Sequence, residues 1–206
     1  MWYVIQTKTG EEQKVVTLLD KWNARTGDIK YVVPLYEQVR RNSISYHIRI
    51  RQLFPGYIFV ETDNPLEMAN ELTTVQDFTK ILGAYEEEKQ TFFTPIEKDD
   101  VDFLDAILVD GLVRLSYVKL VRGRISKVIG PLSGHSGCIT HLDIQHRRAI
   151  VEKKMFGKRR KICFGLWIDG DPENAWIQQQ IGIGNNVVLP KQNYDIGFRS
   201  EERRVG

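Results

Sequence analysis

The chain opens on a run of aromatic and β-branched residues, Trp2 to Thr7, in the pattern of a strand. Thr9-Gly10-Glu11-Glu12 follows and reads as a capping box, a Thr hydroxyl with a Glu downstream to satisfy the first helical amides. The helix it predicts carries Val15, Leu18, Leu19 and Trp22 on one face and ends before Gly27. Lys30 to Tyr36 is extended again, broken by Pro34, a residue suited to an edge or bulge. From Arg40 to Leu53 the chain alternates. Tyr46, Ile48 and Ile50 face one way, and His47, Arg49 and Arg51 the other, which predicts a half-buried hairpin strand with a basic outer side. Tyr57-Ile58-Phe59-Val60 is apolar throughout and predicts a central strand. Asn64-Pro65 and Thr94-Pro95-Ile96-Glu97 each signal a helix start, the second with Val101, Leu104, Ile107 and Leu108 as its inner face. Helices and hairpins mixed in this order predict an α+β sandwich with an antiparallel sheet.

From about Val118 the pattern changes to short Val- and Ile-rich strands separated by glycine turns: Arg124–Ile129, Cys138–Asp143, Arg147–Met155 and Arg159–Leu166. Such spacing predicts a small all-β barrel. The expected boundary lies near Asp110-Gly111, giving a first domain over 1–112 and a second over 113–168. In the last predicted strand Ile162, Phe164 and Leu166 alternate into the core, while Arg159, Lys161 and Cys163 point outward.

Charge sharpens this division. Residues 1–117 hold 13 Lys/Arg and 19 Asp/Glu, whereas residues 118–168 hold 12 and 2. So compact a basic domain exceeds what solubility needs and suggests a polyanion partner for the second half. Lys153, Lys154, Lys158, Arg159, Arg160 and Lys161 flank the Phe156-Gly157 turn, with Arg147 and Arg148 on the partner strand. Hairpin geometry is expected to bring both groups to one side. Lysines there would set affinity, and the planar forks of Arg147 and Arg148 suit bidentate or base contacts.

Other chemistries find little support. No run of 18 apolar residues and no signal-peptide pattern occurs, and Cys138 and Cys163 are too few for a disulfide framework, so a cytoplasmic protein without a membrane span is expected. His135, Cys138, His141, His146 and Cys163 match no established zinc spacing, and positions 138 and 141 point to opposite faces of a strand. No nucleotide-binding loop, nucleophile elbow or paired-carboxylate motif is present. The expectation is a binding protein with no catalytic residues, metal or cofactor. Glu86-Glu87-Glu88 reads as a solvated loop.

Trp2-Tyr3-Val4-Ile5-Gln6 and Leu53-Phe54-Pro55-Gly56-Tyr57-Ile58-Phe59-Val60, with Lys80-Ile81-Leu82-Gly83 after them, resemble the N-terminal (NGN) domain of the NusG family of transcription elongation factors over roughly residues 1–108. Val128-Ile129-Gly130-Pro131-Leu132, Gly137, the hairpin Asp143 to Val151 and the turn Met155-Phe156-Gly157-Lys158 resemble its KOW motif, an SH3-like barrel. Within the family, Gly130-Pro131-Leu132-Ser133-Gly134, His146-Arg147-Arg148-Ala149, Met155-Phe156-Gly157 and Phe164-Gly165-Leu166 look closest to the specialised paralogue LoaP. This resemblance implies a monomeric processive antiterminator. Its first domain would grip the clamp helices of RNA polymerase through Tyr3, Leu53, Phe54, Pro55 and Tyr57. Its KOW domain would hold a structured leader RNA through Arg147, Arg148, Lys153, Lys154, Lys158, Arg159 and Lys161. On an alternating sheet about half the aromatics must be core, so Phe54 and Tyr57 rank above Trp2 and Phe59 as displayed anchors.

Two other readings remain: a general NusG-type factor whose KOW domain meets proteins, and, from a different class, a structural RNA-binding protein of the ribosome that would need no polymerase surface. The resemblance stops near Ile168. Residues 169–206 are expected to be a tail, foreign or disordered, because Arg199-Ser200-Glu201-Glu202-Arg203-Arg204-Val205-Gly206 reads like translated sequencing-adapter DNA.

Overall fold

In chain order the elements of the first half are β1 (Trp2–Thr7), α1 (Glu12–Thr26), β2 (Lys30–Val32), β3 (Leu35–Arg41), β4 (Tyr46–Gln52), β5 (Tyr57–Glu61), α2 (Pro65–Leu72), β6 (Phe78–Ile81), β7 (Ala84–Glu87), β8 (Gln90–Phe93) and α3 (Lys98–Ile107). Then come β9 (Leu112–Val113), β10 (Ser116–Val121), β11 (Arg124–Ile129), a 3-10 turn (Ser133–Cys138), β12 (Ile139–Asp143), β13 (Arg148–Met155) and β14 (Lys158–Ile168). This computed structural model describes residues 1–27, 29–41, 46–74, 78–87 and 90–171. Glu88 of the acidic triplet and residues 172–206 of the expected tail lie outside them. The chain divides into two compact units, one of Met1–Pro34 with Phe54–Asp105, the other of Leu35–Leu53 with 106–171.

The first unit contains a four-stranded sheet ordered β2-β5-β1-β6, with β5 antiparallel to both β1 and β2. Val4 and Ile5, then Ile58, Phe59 and Val60, are buried in succession, the pattern of strands covered on both faces. The predicted capping box does not form. Glu11 occupies the N-cap without a side-chain bond, and the buried Glu12 carboxylate instead accepts the amides of Gly10 at 2.9 Å and Gly56 at 2.7 Å. A carboxylate is a stronger acceptor than a Thr hydroxyl, and here it ties the start of α1 to the turn before β5. That turn needs its glycine. Gly56 has φ +81°, its carbonyl accepts the Thr7 amide, and a Cβ there would lie 2.8 Å from the Thr7 carbonyl oxygen. The other end of α1 follows the sequence, closing on a left-handed Gly27 whose amide donates to the Asn23 carbonyl. In α3, Leu104 and Ile107 are buried as expected, Val101 only partly, and Phe103 and Asp100 join the buried set, while Leu108 falls just past the helix and is half-buried.

The second unit is built on β14. Its 11 residues pair antiparallel with β13 and, at their far end, parallel with β10, within a five-stranded sheet ordered β11-β10-β14-β13-β12. Val118, Leu132, Ala149, Val151, Met155, Ile162, Phe164 and Leu166 are its core, so Ile162, Phe164 and Leu166 alternate inward as the sequence predicts. The β3–β4 hairpin, flanked by β9 in the order β4-β3-β9, belongs to this unit as well. Glu37 of β3 is buried, and its carboxylate accepts the Arg114 guanidinium and the Leu115 amide, each at 2.8 Å. Val39 packs with Leu115 and Trp167, joined by Tyr46, Ile48 and Tyr117. Gly165 makes the close approach possible: a Cβ there would run into the Glu37 carbonyl and lie 2.7 Å from Leu115 Cδ2. The fold continues past the expected end at Ile168. Asp169 accepts the Tyr117 hydroxyl, and Asp171 is buried and accepts the Ile168 amide.

Two substitutions test these junctions. Gly56→Ala is expected to cost at least about 2 kcal/mol, from the left-handed backbone plus overpacking, a fall of roughly 4–8 °C in Tm readable by thermal denaturation. Gly165→Ala is expected to push β3 from β14 at a cost of about 1–3 kcal/mol. In a Cys138→Ser background, the Cys163 thiol beside β3 should then react faster with a thiol reagent.

Candidate nucleic-acid interface

Strands β13 and β14 form a two-residue hairpin with Met155 opposite Lys158. Phe156 and Gly157 at its tip both have positive φ, 51° and 72°, as a type I′ turn requires. The Arg160 guanidinium lies 5.8 Å from the Phe156 ring centre. The register puts Lys153 directly opposite Arg160 and Lys154 opposite Arg159, while Glu152 faces Lys161. Two successive like-charged cross-strand pairs are destabilising in themselves. Among the described residues Lys154, Lys158, Arg159 and Lys161 enter no ion pair, and all four are exposed.

The basic residues do not all share one face. Directly opposed residues point the same way and neighbours alternate. Lys154, Arg159 and Lys161 therefore lie on the outward face with Arg148, Ile150 and Cys163, and Lys153 and Arg160 lie on the other. There Lys153 approaches His135, whose ring is 6.2 Å from Phe164. Burial, then the Lys153 charge, lowers the His135 pKa.

The two adjacent arginines differ sharply. Arg147 precedes β13 with φ 52°, and its fork donates from Nε and Nη2 to the Asp171 carboxylate at 3.0 and 2.6 Å. Its side chain is only 12% exposed. Against burial that would lower it, the Asp171 bonds raise its pKa. The expected bidentate fork is thus spent inside the fold rather than displayed. Arg148 remains 36% exposed, its Nε donating to Asp143 at 3.0 Å. Asp143 also accepts the His146 amide and meets its ring. Against burial, these bonds hold the Asp143 carboxyl down at about 2.

The proposed polymerase contacts divide similarly. Tyr3, Leu53 and Phe54 are each 5% exposed, and Phe54 lies 5.8 Å from Phe59, ring to ring. As placed they are core positions. Pro55 is exposed and Tyr57 half-buried, so these two are displayed. Alternation could rank Tyr57, but Phe54 lies in a turn where alternation says nothing. Among the described residues no group of three or more His, Cys, Asp or Glu could hold a metal ion, and no helix is long and apolar enough to cross a membrane.

Comparison with known proteins agrees with the N-terminal pattern. The family model described as transcription termination factor nusG matches residues 1–104. The chain is 23% identical over 167 residues to the transcription termination/antitermination protein NusG of Helicobacter pylori, covering 78% of this chain and 92% of that one. It is 28% identical over 174 residues to the protein of the same description from Halalkalibacterium halodurans, with the same coverages. A solved structure described as domain interaction in Thermotoga maritima NusG aligns at 21% identity and a TM-score of 0.44, over 80% of this chain and 92% of that one. With a family model spanning half its length, this chain belongs to the NusG family of transcription factors.

Proposed function

We propose that this chain is a NusG-type processive antiterminator of the LoaP kind. In this reading the N-terminal domain, residues 1–112, docks on the clamp helices of RNA polymerase. Residues 113–168 act as a KOW barrel that holds a structured leader RNA. The observation that carries the RNA half is the β13–β14 hairpin, where Lys153 faces Arg160 and Lys154 faces Arg159. A strand pair that accepts such repulsion gains a dense array of positive charge, and binding phosphates with release of counterions offsets the cost. Arg148, Lys154, Lys158, Arg159 and Lys161 make the phosphate contacts, Lys153 adds its charge from the other face of the hairpin, and Arg147 acts as scaffold through Asp171. On the polymerase side the displayed Pro55 and Tyr57 make contact, while Tyr3, Leu53 and Phe54 stay buried. The chemistry is binding throughout, without catalytic residues or cofactor, in a monomer of the cytoplasm.

The names of the relatives favour a second reading, a general NusG-type factor whose KOW domain meets protein partners. The two separate on RNA. The full chain is expected to prefer the leader hairpin over unstructured RNA, with log affinity falling against log salt on a slope of about −4 to −5. A Lys154→Gln/Arg159→Gln variant should bind more weakly with a shallower slope, and absence of RNA binding at moderate salt selects the protein-partner reading. Tyr57→Ala is expected to reduce retention of the chain on RNA polymerase at least tenfold, measured by co-sedimentation.

A further inference from the structure

The basic outer side of β4 has no place in the function so far. His47, Arg49 and Arg51 alternate with half-buried Tyr46, Ile48 and Ile50, and all three are exposed. Among the described residues Arg49 and Arg51 enter no ion pair. Assigning the hairpin Leu35–Leu53 to the second unit raises that unit, over 35–53 and 106–171, to 17 Lys/Arg against six Asp/Glu.

Register fixes where this ridge lies. Tyr36 is opposite Arg51, so the two share a face of the hairpin, with Arg49 next along it. Glu37 of β3 is opposite Ile50, between Arg49 and Arg51, and its carbonyl sits where a Cβ of Gly165 would be, the β14 residue opposite Arg148 and on the same outward face as Cys163. Cys163 in turn is opposite Ile150 on β13. The ridge of β4 therefore meets the outward face of the β13–β14 ribbon at its Arg148 end. Lys154, Arg159 and Lys161 occupy the other end of that face. The six residue steps from Arg148 to Lys154 span about 20 Å. Two basic clusters thus flank a central strip of Ile150 and Cys163. Among the described residues, Asp143, bonded to Arg148, and Glu152, opposite Lys161, are the acidic groups on these strands' outward face and its rim.

We infer that Arg49 and Arg51 form, with Arg148, a second phosphate-binding cluster, and that the two clusters grip the two strands of an RNA stem across a groove. A single cluster at the hairpin tip could hold a loop or a single strand. Two clusters about 20 Å apart fit phosphates on opposite rims of the wide, shallow minor groove of A-form RNA, which proteins meet through backbone and 2′-hydroxyl contacts. Shape rather than sequence is read at this end, since Arg147, the other arginine at this end of β13, is committed to Asp171. The inference rests on the RNA reading above but assigns residues outside the KOW domain.

The test uses the full chain, with a stem-loop RNA from the gene's own leader carrying one full helical turn, and the same loop on a stem of a few base pairs. Arg49→Gln/Arg51→Gln is compared with wild type and with Lys154→Gln/Arg159→Gln over a salt series, after thermal melts establish that each variant is folded. The expected result is an affinity for the long stem lowered roughly tenfold, a log–log slope shallower by about 1.5 to 2, and little change on the short stem. An unchanged affinity and slope on the long stem, while Lys154→Gln/Arg159→Gln loses binding, would overturn this inference and leave the RNA reading standing. Equal losses on both stems overturn the two-strand grip. Failure of wild type to bind either RNA defeats the RNA reading itself. As a readout independent of affinity, a photo-crosslinker placed through Arg51→Cys, in a Cys138→Ser background, should mark the stem and not the loop.

Discussion

Glu37 carries a full carboxylate into the interior of the second unit at 1% exposure. A lone buried charge would cost several kcal/mol, so its oxygens must be answered. Arg114 and the Leu115 amide answer them. Those two residues sit between β9 and β10, so one side chain of the β3–β4 hairpin fixes the segment that leads into the five-stranded sheet. Gly165 supplies the matching space on β14, and Trp167, Val39 and Tyr46 fill in around it. The orientation of the basic strand β4, whose Tyr46 meets Trp167 of β14, depends on this junction. Removing the carboxylate leaves the Leu115 amide without its acceptor, while the Arg114 side chain, 45% exposed, turns to water, a loss of about 1–3 kcal/mol.

Charge is distributed in the same sense as compactness. Residues 1–34 and 54–105 hold eight Lys/Arg against 17 Asp/Glu, while 35–53 and 106–171 hold the reverse excess. One unit repels a phosphate backbone and the other attracts it. Under the proposed function, affinity for a polyanion comes from field and counterion release, and selectivity from where the charges can be placed. The second unit places them on a stiff ribbon, whose buried Val151, Met155, Ile162 and Phe164 leave the outward side chains defined in spacing.

Much of this was legible in the sequence because it depends on local period. The alternation of Tyr46 to Arg51, the inward set Ile162, Phe164 and Leu166, and the Gly27 stop of α1 all follow from neighbours in the chain. What was hidden depends on partners far away. Glu12 looked like one end of a capping box with Thr9, yet its carboxylate reaches Gly56, 44 residues on. Nothing near Glu37 announces Arg114, 77 residues distant. Arg147 and Arg148 are equivalent in any pattern, but the left-handed turn at Arg147 aims one at Asp171 and leaves the other at the surface. Phe54 and Leu53 stand in a turn where no period decides which way a side chain points, and they are buried. A hairpin shared with the second unit cannot be read from charge counts along the chain, because it interrupts the first unit in sequence.

In the proposed function the positive ribbon of the second unit couples a leader RNA to transcription. Single-round transcription in vitro, on templates carrying the gene's own leader upstream of an intrinsic terminator, tests it most directly. The full chain is expected to raise readthrough when the leader is present in cis, and deleting the leader hairpin or neutralising Lys154 and Arg159 is expected to return readthrough to the level without the protein. Readthrough that is equal with and without the leader hairpin, or that survives the loss of those charges, would contradict it.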